Sequence, residues 1–198
     1  MKVKAVSVVV LSMFFVFMFA FQGSAADNYF LLKGGMYSPQ SNDLEDFDAG
    51  FNGEIAVGHY FNPNLALELG LGYAQTDASF IEYDMGYIYQ MDVDIHMVPL
   101  TLSVKGIYPV NQHELYGLFG LGAYFTEAEV STLGFKFDGD DTTLGVHLGA
   151  GFNYNLSNAM FVGLEGKYFW ADADFGVAGA PDVDLDGFIV TLNLGFRF

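Results

Sequence analysis

"DVDLDGFIVTLNLGFRF", Asp182 to Phe198, admits two readings that imply different proteins. Asp182, Asp184, Asp186 and Gly187 match the opening of a helix-loop-helix calcium loop, which takes oxygen ligands at its first, third and fifth positions and glycine at the sixth. The twelfth position must then supply a bidentate carboxylate, and it is Asn193. No amphipathic helix pattern flanks the stretch. From Phe188 onward, Phe188, Val190, Leu192, Leu194, Phe196 and Phe198 alternate with Thr191, Asn193, Gly195 and Arg197, and only Ile189 breaks this period of two. Such a period puts one set of side chains on each face of a strand. The stretch reads as a closing β-strand.

The first residues bear on compartment. Lys2 and Lys4 precede an apolar run from Ala5 to Phe21, and the small residues Ser24 and Ala26 follow, the pattern of a secretory signal cleaved before Asp27. The expected organisation is a signal peptide over residues 1–26 and one domain over residues 27–198. Beyond Asp27 every apolar stretch is interrupted by glycine or a charge, so no spanning helix is expected. The sequence contains no cysteine, so an exported chain of this kind lacks a disulfide framework. Its 24 glycines, 21 phenylalanines and 12 tyrosines, beside a net charge of -17, favour strands over helices. The fold class is all-β.

Alternation recurs in eight segments: Tyr29 to Tyr37, Gly53 to Phe61, a third from Asn64, a fourth holding "VPLTLSVKGIY", Leu115 to about Thr126, Leu144 to Tyr154, Ala159 to Trp170, and the closing stretch. Each has about the length a tilted strand needs to cross a bilayer. Short polar turns at Asn62 to Asn64, Pro109 to Glu114 and Asn155 to Asn158 alternate with longer links. Those links are Ser38 to Asn52, Thr76 to Asp92, Glu127 to Thr143 and Asp172 to Asp186. An even strand count with short turns on one side and long loops on the other is the layout of an antiparallel up-and-down transmembrane barrel. Hydrocarbon offers unpaired backbone groups no partner, so the sheet must close on itself.

The cations refine this reading. Lys33, Lys105, Lys167 and Arg197 fall inside expected strands, and Lys136 does not. A lysine facing lipid at mid-membrane costs about 2–4 kcal/mol, so these four should face the lumen with Glu54, Glu68 and Glu165. The expectation is an interior ionic network of Lys33, Glu54, Glu68, Lys105, Glu165, Lys167 and Arg197, in which Glu165 and Lys167, two apart on one strand, point the same way. Gly70, Gly72, Gly120, Gly122, Gly149 and Gly151 share that face. Glycine suits the solvated face of a two-sheet sandwich poorly but makes room for large side chains inside a narrow barrel.

In the fourth segment the apolar phase moves from Met91, Val93, Ile95 and Met97 to Val98, Leu100, Leu102 and Val104. That predicts a β-bulge near Met97 and Val98, beside Pro99. Most remaining acids fall in the long links, where they would repel nucleic acid and anionic solutes. Asp138, Asp140 and Asp141 of "DGDD", with Asp182, Asp184 and Asp186, are candidates for weak divalent-cation binding, without a firm metal site. His96 and Ser103 are the nearest nucleophile and base in sequence, but along a strand they stand on the order of 20 Å apart on opposite faces. Nothing forms a triad with an orienting carboxylate, so no enzyme and no cofactor are expected.

The stretches "GHYFNPNLALELGLGY" (Gly58 to Tyr73), "VPLTLSVKGIYP" (Val98 to Pro109), "LYGLFGLGAYF" (Leu115 to Phe125) and "LGAGFNYNLSNAMFVGLEGKYFW" (Leu148 to Trp170) carry a family likeness. By pattern, over nearly all of residues 27–198, the chain resembles the small eight-stranded outer-membrane β-barrel proteins grouped with OmpX, OmpW and the barrel domain of OmpA. The resemblance implies a monomer in the cell outer membrane, in contact with lipid and lipopolysaccharide, with periplasmic termini and acidic extracellular loops. It also implies that the barrel-assembly machinery reads Val190, Leu192, Leu194, Phe196 and Phe198. A structural or surface-interaction role fits an eight-stranded barrel, whose interior its own side chains can fill. The alternative, implied by the OmpW likeness, is a small passive channel for ions or hydrophobic molecules.

Overall fold

The computed structural model describes residues 27–41, 44, 47–84, 87–132, 135–173 and 183–198, with backbone alone at 80–84, 87–91, 132 and 135–138. The expected signal peptide and Asp182 lie outside the described residues. The strands are β1 (Asn28–Pro39), β2 (Gly50–Asn62), β3 (Leu65–Asp84), β4 (Tyr87–Val110), β5 (His113–Thr132), β6 (Phe135–Asn155), β7 (Met160–Trp170), β8 (Asp172–Ala173), β9 (Val183–Asp184) and β10 (Gly187–Arg197). Eight of them close an antiparallel barrel in the order β1-β10-β7-β6-β5-β4-β3-β2, while β8 and β9 form a separate two-stranded pair. The seam between β1 and β10 runs in unbroken register from Tyr29↔Arg197 to Pro39↔Gly187. The closing stretch is therefore the strand that completes the barrel.

Local chemistry sets the short turns at one end. Asn62 Oδ1 accepts the Asn64 N–H at 2.8 Å, an Asx turn between β2 and β3. Asn111, between β4 and β5, adopts φ 56°, a left-handed conformation that asparagine tolerates. Ser157 Oγ accepts the N–H groups of Ala159 and Met160 between β6 and β7.

Four inner-face glycines each lie opposite a ring. Tyr29 lies directly opposite Gly58, Tyr116 opposite Gly151, Phe161 opposite Gly195 and His147 opposite Gly120. A Cβ at any of these four glycines would run into the ring across from it. Rings fill the lumen by lying over glycines of neighbouring strands.

Two of the four expected loops are not loops. The β3–β4 pairing continues to Asp84↔Tyr87 and the β5–β6 pairing to Thr132↔Phe135, so Thr76 to Asp92 and Glu127 to Thr143 lie within two long hairpins. Alternation persists there because Ala78, Ile95 and Thr126 stay buried on the inner face, with Val93 and Ala128 packed beside them. Pairing of β2 with β3 stops at Asn52↔Ala74, and of β6 with β7 at Val146↔Trp170. Beyond those points β3, β4, β5 and β6 project as a four-stranded sheet.

The expected bulge at Met97 and Val98 is absent. β4 keeps one register with β5 from Met91↔Thr132 to Val110↔His113, and its register with β3 is the same at Leu71↔Leu100 and Ala74↔Met97. The strand does not slip; its surroundings change. Ile95 and Met97 point into an apolar cluster inside the barrel, whereas Val98, Leu102 and Val104 point outward. Pro99, without a donor, falls where β3–β4 pairing is interrupted. Ile189 has the same explanation, since it faces inward into that cluster. A register shift occurs instead between Tyr60 and Asn62, at the turn end of β2 and away from Met97.

Two apolar clusters occupy the lumen. Toward the hairpin end, Tyr37, Ile95, Met97, Tyr124, Phe169 and Ile189 pack beneath Leu44 and Leu185 from the connecting segments. The Tyr37 hydroxyl donates to the Leu185 carbonyl at 2.9 Å. Toward the turn end, Tyr29, Leu31, Ile107, Tyr116, Leu118 and Phe161 form the second cluster.

Candidate functional site

A charged layer fills the space between the two clusters. Lys33 comes from β1, Glu54 from β2, Glu68 from β3, Lys105 from β4, and Glu165 with Lys167 from β7; all six are buried. Lys33 Nζ lies 2.8 Å from Glu54 Oε1, 2.8 Å from Glu68 Oε1 and 3.0 Å from Glu165 Oε1. Lys105 Nζ sits 2.6 Å from Glu68 and 3.2 Å from Glu165, and Lys167 Nζ 2.8 Å from Glu54 Oε2. Three cations thus meet three carboxylates. Burial of such charges is tolerable only with this pairing and with further hydrogen bonds to the remaining lone pairs. The hydroxyls of Tyr29 and Tyr116 supply them, donating to Glu68 and Glu165 at 2.9 Å each. Asn193 Nδ2 in turn donates to the Tyr116 hydroxyl at 3.4 Å, and Lys105 Nζ lies 4.5 Å over the Tyr116 ring.

Six of the seven residues expected in the network come together here, and Arg197 does not. Arg197 stands opposite Tyr29, whereas Asn193, four residues earlier on β10, stands opposite Lys33. Its guanidinium donates to Glu114 at 2.7 Å and to Asn155 at 2.8 Å, and lies 4.5 Å over the Phe161 ring. The turn-end cluster separates this second polar group from the charged layer. Lys167 pairs with Glu54 across the lumen: next-nearest residues of a strand are held roughly 7 Å apart with parallel side chains, whereas long side chains from different strands converge toward the axis of the narrow interior.

Sequence reasoning missed Tyr29, Tyr116 and Asn193 as partners of the charged layer, and Glu114 and Asn155 as partners of Arg197. The available signal was phase: Tyr29 is four residues from Lys33 on one strand, and Asn193 sits among the polar alternates of β10. It also missed the pairing of Ser103 with His147, whose Nε2 lies 2.8 Å from Ser103 Oγ. His147 is 0 % exposed and its Nδ1 takes no hydrogen bond, so no carboxylate orients it as a triad requires. His96 lies on the outer face, stacked on Tyr73 with Nδ1 3.0 Å from that hydroxyl, away from Ser103.

The cation candidates are dispersed. Asp140 and Asp141 are successive residues of β6 and point to opposite faces, while Asp138 occupies the position opposite Glu129. Asp184 pairs in register with Asp172, and Asp186 accepts the Ala171 N–H at 3.1 Å. Burial pushes the Asp186 carboxyl above its ordinary pKa, and the Asp172 charge adds to the rise. Among the described residues no three His, Asp or Glu side chains form a metal-ligand set.

Acids concentrate instead on the projecting sheet. Asp77 lies opposite Asp94, Asp94 opposite Glu129, and Glu129 opposite Asp138, so one row of acids crosses all four strands. The adjacent row reads Gln75, His96, Glu127, Asp140. Residues directly opposite in an antiparallel pair share a face.

The family model described as "Outer membrane protein beta-barrel domain" matches residues 7–198. The chain belongs to that family. It is an outer-membrane protein, and the outward apolar face is the one its barrel turns to lipid. No curated protein matches the sequence. Among solved structures, Neisserial surface protein A (NspA) is similar at 14% identity and TM-score 0.62, covering 89% of this chain and 100% of that one. OprG from Pseudomonas aeruginosa is similar at 18% identity and TM-score 0.57, with coverage of 89% and 98%. Ail, the attachment invasion locus protein of Yersinia pestis, is similar at 18% identity and TM-score 0.50, with coverage of 87% and 97%. At these identities the likeness is one of fold.

Proposed function

We propose that this barrel is a closed structural and surface-interaction protein of the outer membrane, without catalytic activity or cofactor. The observation that carries the reading is the projecting sheet with its acid row Asp77, Asp94, Glu129 and Asp138. Like charges directly opposite one another destabilise a sheet, a cost that a binding function explains. The long hairpins lie outside the cell and the short turns and both termini in the periplasm, following the usual disposition of such barrels. The negative face favours a cationic partner and repels nucleic acid. Attachment, the role after which Ail is named, is of this kind. The protein is a monomer whose outer wall contacts lipid and lipopolysaccharide, and Val190, Leu192, Leu194, Phe196 and Phe198 serve as its recognition strand during assembly.

The test is binding of oligolysine to the protein held in lipid nanodiscs. Binding that weakens with salt and is lost in the triple variant Asp77→Asn, Asp94→Asn, Glu129→Gln supports the reading. No binding, or binding indifferent to the variant, overturns it. A second reading, a small passive channel, draws on the redundancy of the charged layer, where Lys33 meets three carboxylates and could exchange partners. It requires both apolar clusters to open. Discrete steps in a planar bilayer, altered by Glu165→Ala or Lys167→Ala, would establish it; a silent bilayer favours the closed barrel.

A further inference from the structure

The hairpin-end mouth of the barrel is crossed by a ribbon with two unlike faces. Ala171, Ala173 and Leu185 are buried in the apolar cluster with Val183 packed beside them, while on the other face Asp172 and Asp184 are exposed and Asp186 is half-buried. We propose that this β8–β9 ribbon is an acid-responsive latch over the lumen, loosened when the carboxylates of its outer face are ionised and tightened when they take up protons.

The ribbon is held at its root. The Leu185 N–H donates to the Ala171 carbonyl at 2.8 Å, and the Ala171 N–H donates to Asp186 Oδ1 at 3.1 Å. The Asp186 carbonyl accepts from the Gln40 N–H at 2.9 Å and the Leu185 carbonyl from the Tyr37 hydroxyl, so the end of β1 anchors the same turn. Opening the latch breaks the first two of these bonds and uncovers Leu185, which is 1 % exposed when the latch is closed.

The charges work against closure. Asp172 lies directly opposite Asp184, and Asp186 follows Asp184 by two residues on the same face. Like charges so placed destabilise a two-stranded pair. Asp186 is also faced by Tyr37 of β1 and Tyr168 of β7, and β6, which runs beside β8, carries Asp140 and Asp141. No lysine, arginine or histidine occurs from Ala171 to Asp186 or from Ser38 to Asn52, so the two segments over the mouth bring no cation of their own. Burial raises the Asp186 carboxyl above its ordinary pKa; the Ala171 N–H opposes the rise and the Asp172 charge adds to it. The closed latch therefore holds this proton more tightly than the open one. Its stability is fullest below the ordinary aspartate pKa and declines as pH rises through the raised value. A protonated Asp186 still has an oxygen with which to accept the Ala171 N–H.

The test is hydrogen–deuterium exchange of the Leu185 amide, followed by NMR on the protein held in lipid nanodiscs. Exchange is compared at about pH 4, within the carboxylate range, and about pH 7, above it, with the intrinsic pH dependence divided out. Protection is expected to be about two- to fivefold greater at the lower pH, the worth of relieving one like-charge pair. In the double variant Asp172→Asn, Asp186→Asn, protection should stand at the higher level already at neutral pH and stay there on acidification, since asparagine keeps an oxygen for the Ala171 N–H. Protection in the parent that is equal at both pH values, or lower in acid, overturns the latch. A pH response that survives in the double variant overturns its assignment to these carboxylates.

Discussion

Lys33 Nζ lies 3.0 Å from Glu165 Oε1, joining β1 to β7, two strands that exchange no backbone hydrogen bonds because β10 runs between them. The ion pair braces the lumen across the barrel where the sheet alone cannot. Lys33→Met should cost about 3–5 kcal/mol of stability, read as a lower midpoint of urea unfolding in detergent micelles, because it leaves buried carboxylates underpaired. An unchanged midpoint would mean that water or rearrangement already compensates the layer.

The partner choice of Lys167 is separately measurable. A double-mutant cycle between Lys167→Ala and Glu54→Ala should show a coupling of about 1 kcal/mol or more, and the cycle between Lys167→Ala and Glu165→Ala a smaller one. The reverse order would restore the same-strand pairing that sequence spacing suggested.

Inner-face glycines should resist even alanine. Gly195→Ala drives a methyl into the Phe161 ring, and overpacking of this kind costs about 1–3 kcal/mol. In a Phe161→Ala background the same substitution should cost much less. Urea midpoints of the single and double variants decide the matter, since additive losses would assign the cost to the backbone and not to the ring.

The acid row should be a weak point of the projecting sheet. Asp94→Asn relieves repulsion from both Asp77 and Glu129, and is expected to stabilise the hairpins by about 0.2–1 kcal/mol. Limited proteolysis should cut the variant more slowly than the parent at low salt. Raising the ionic strength should shrink the difference, because surface charges are screened beyond a Debye length of about 8–10 Å near physiological salt.

Strand identity was readable from the sequence because period two is a property of the local backbone. Thr191 and Asn193 turn inward and Leu192 outward whatever the rest of the chain does. The inward direction of Lys33, Lys105 and Lys167 was equally readable, since the cost of a lysine in hydrocarbon does not depend on which carboxylate it meets. Partners were another matter. Lys167 and Glu54 are 113 residues apart and become neighbours only through closure of the barrel and the stagger of its strands, and no local pattern records that stagger. The same holds for Arg197, which shares the inward phase of Asn193 but lies below the aromatic cluster, so that height in the lumen, not facing, selects Glu114 as its partner. At Met97 the change of apolar phase was visible, and its cause was not. A slipped strand and a straight strand passing from one environment to another leave the same mark in sequence, and only the register against β3 and β5 shows that β4 is straight.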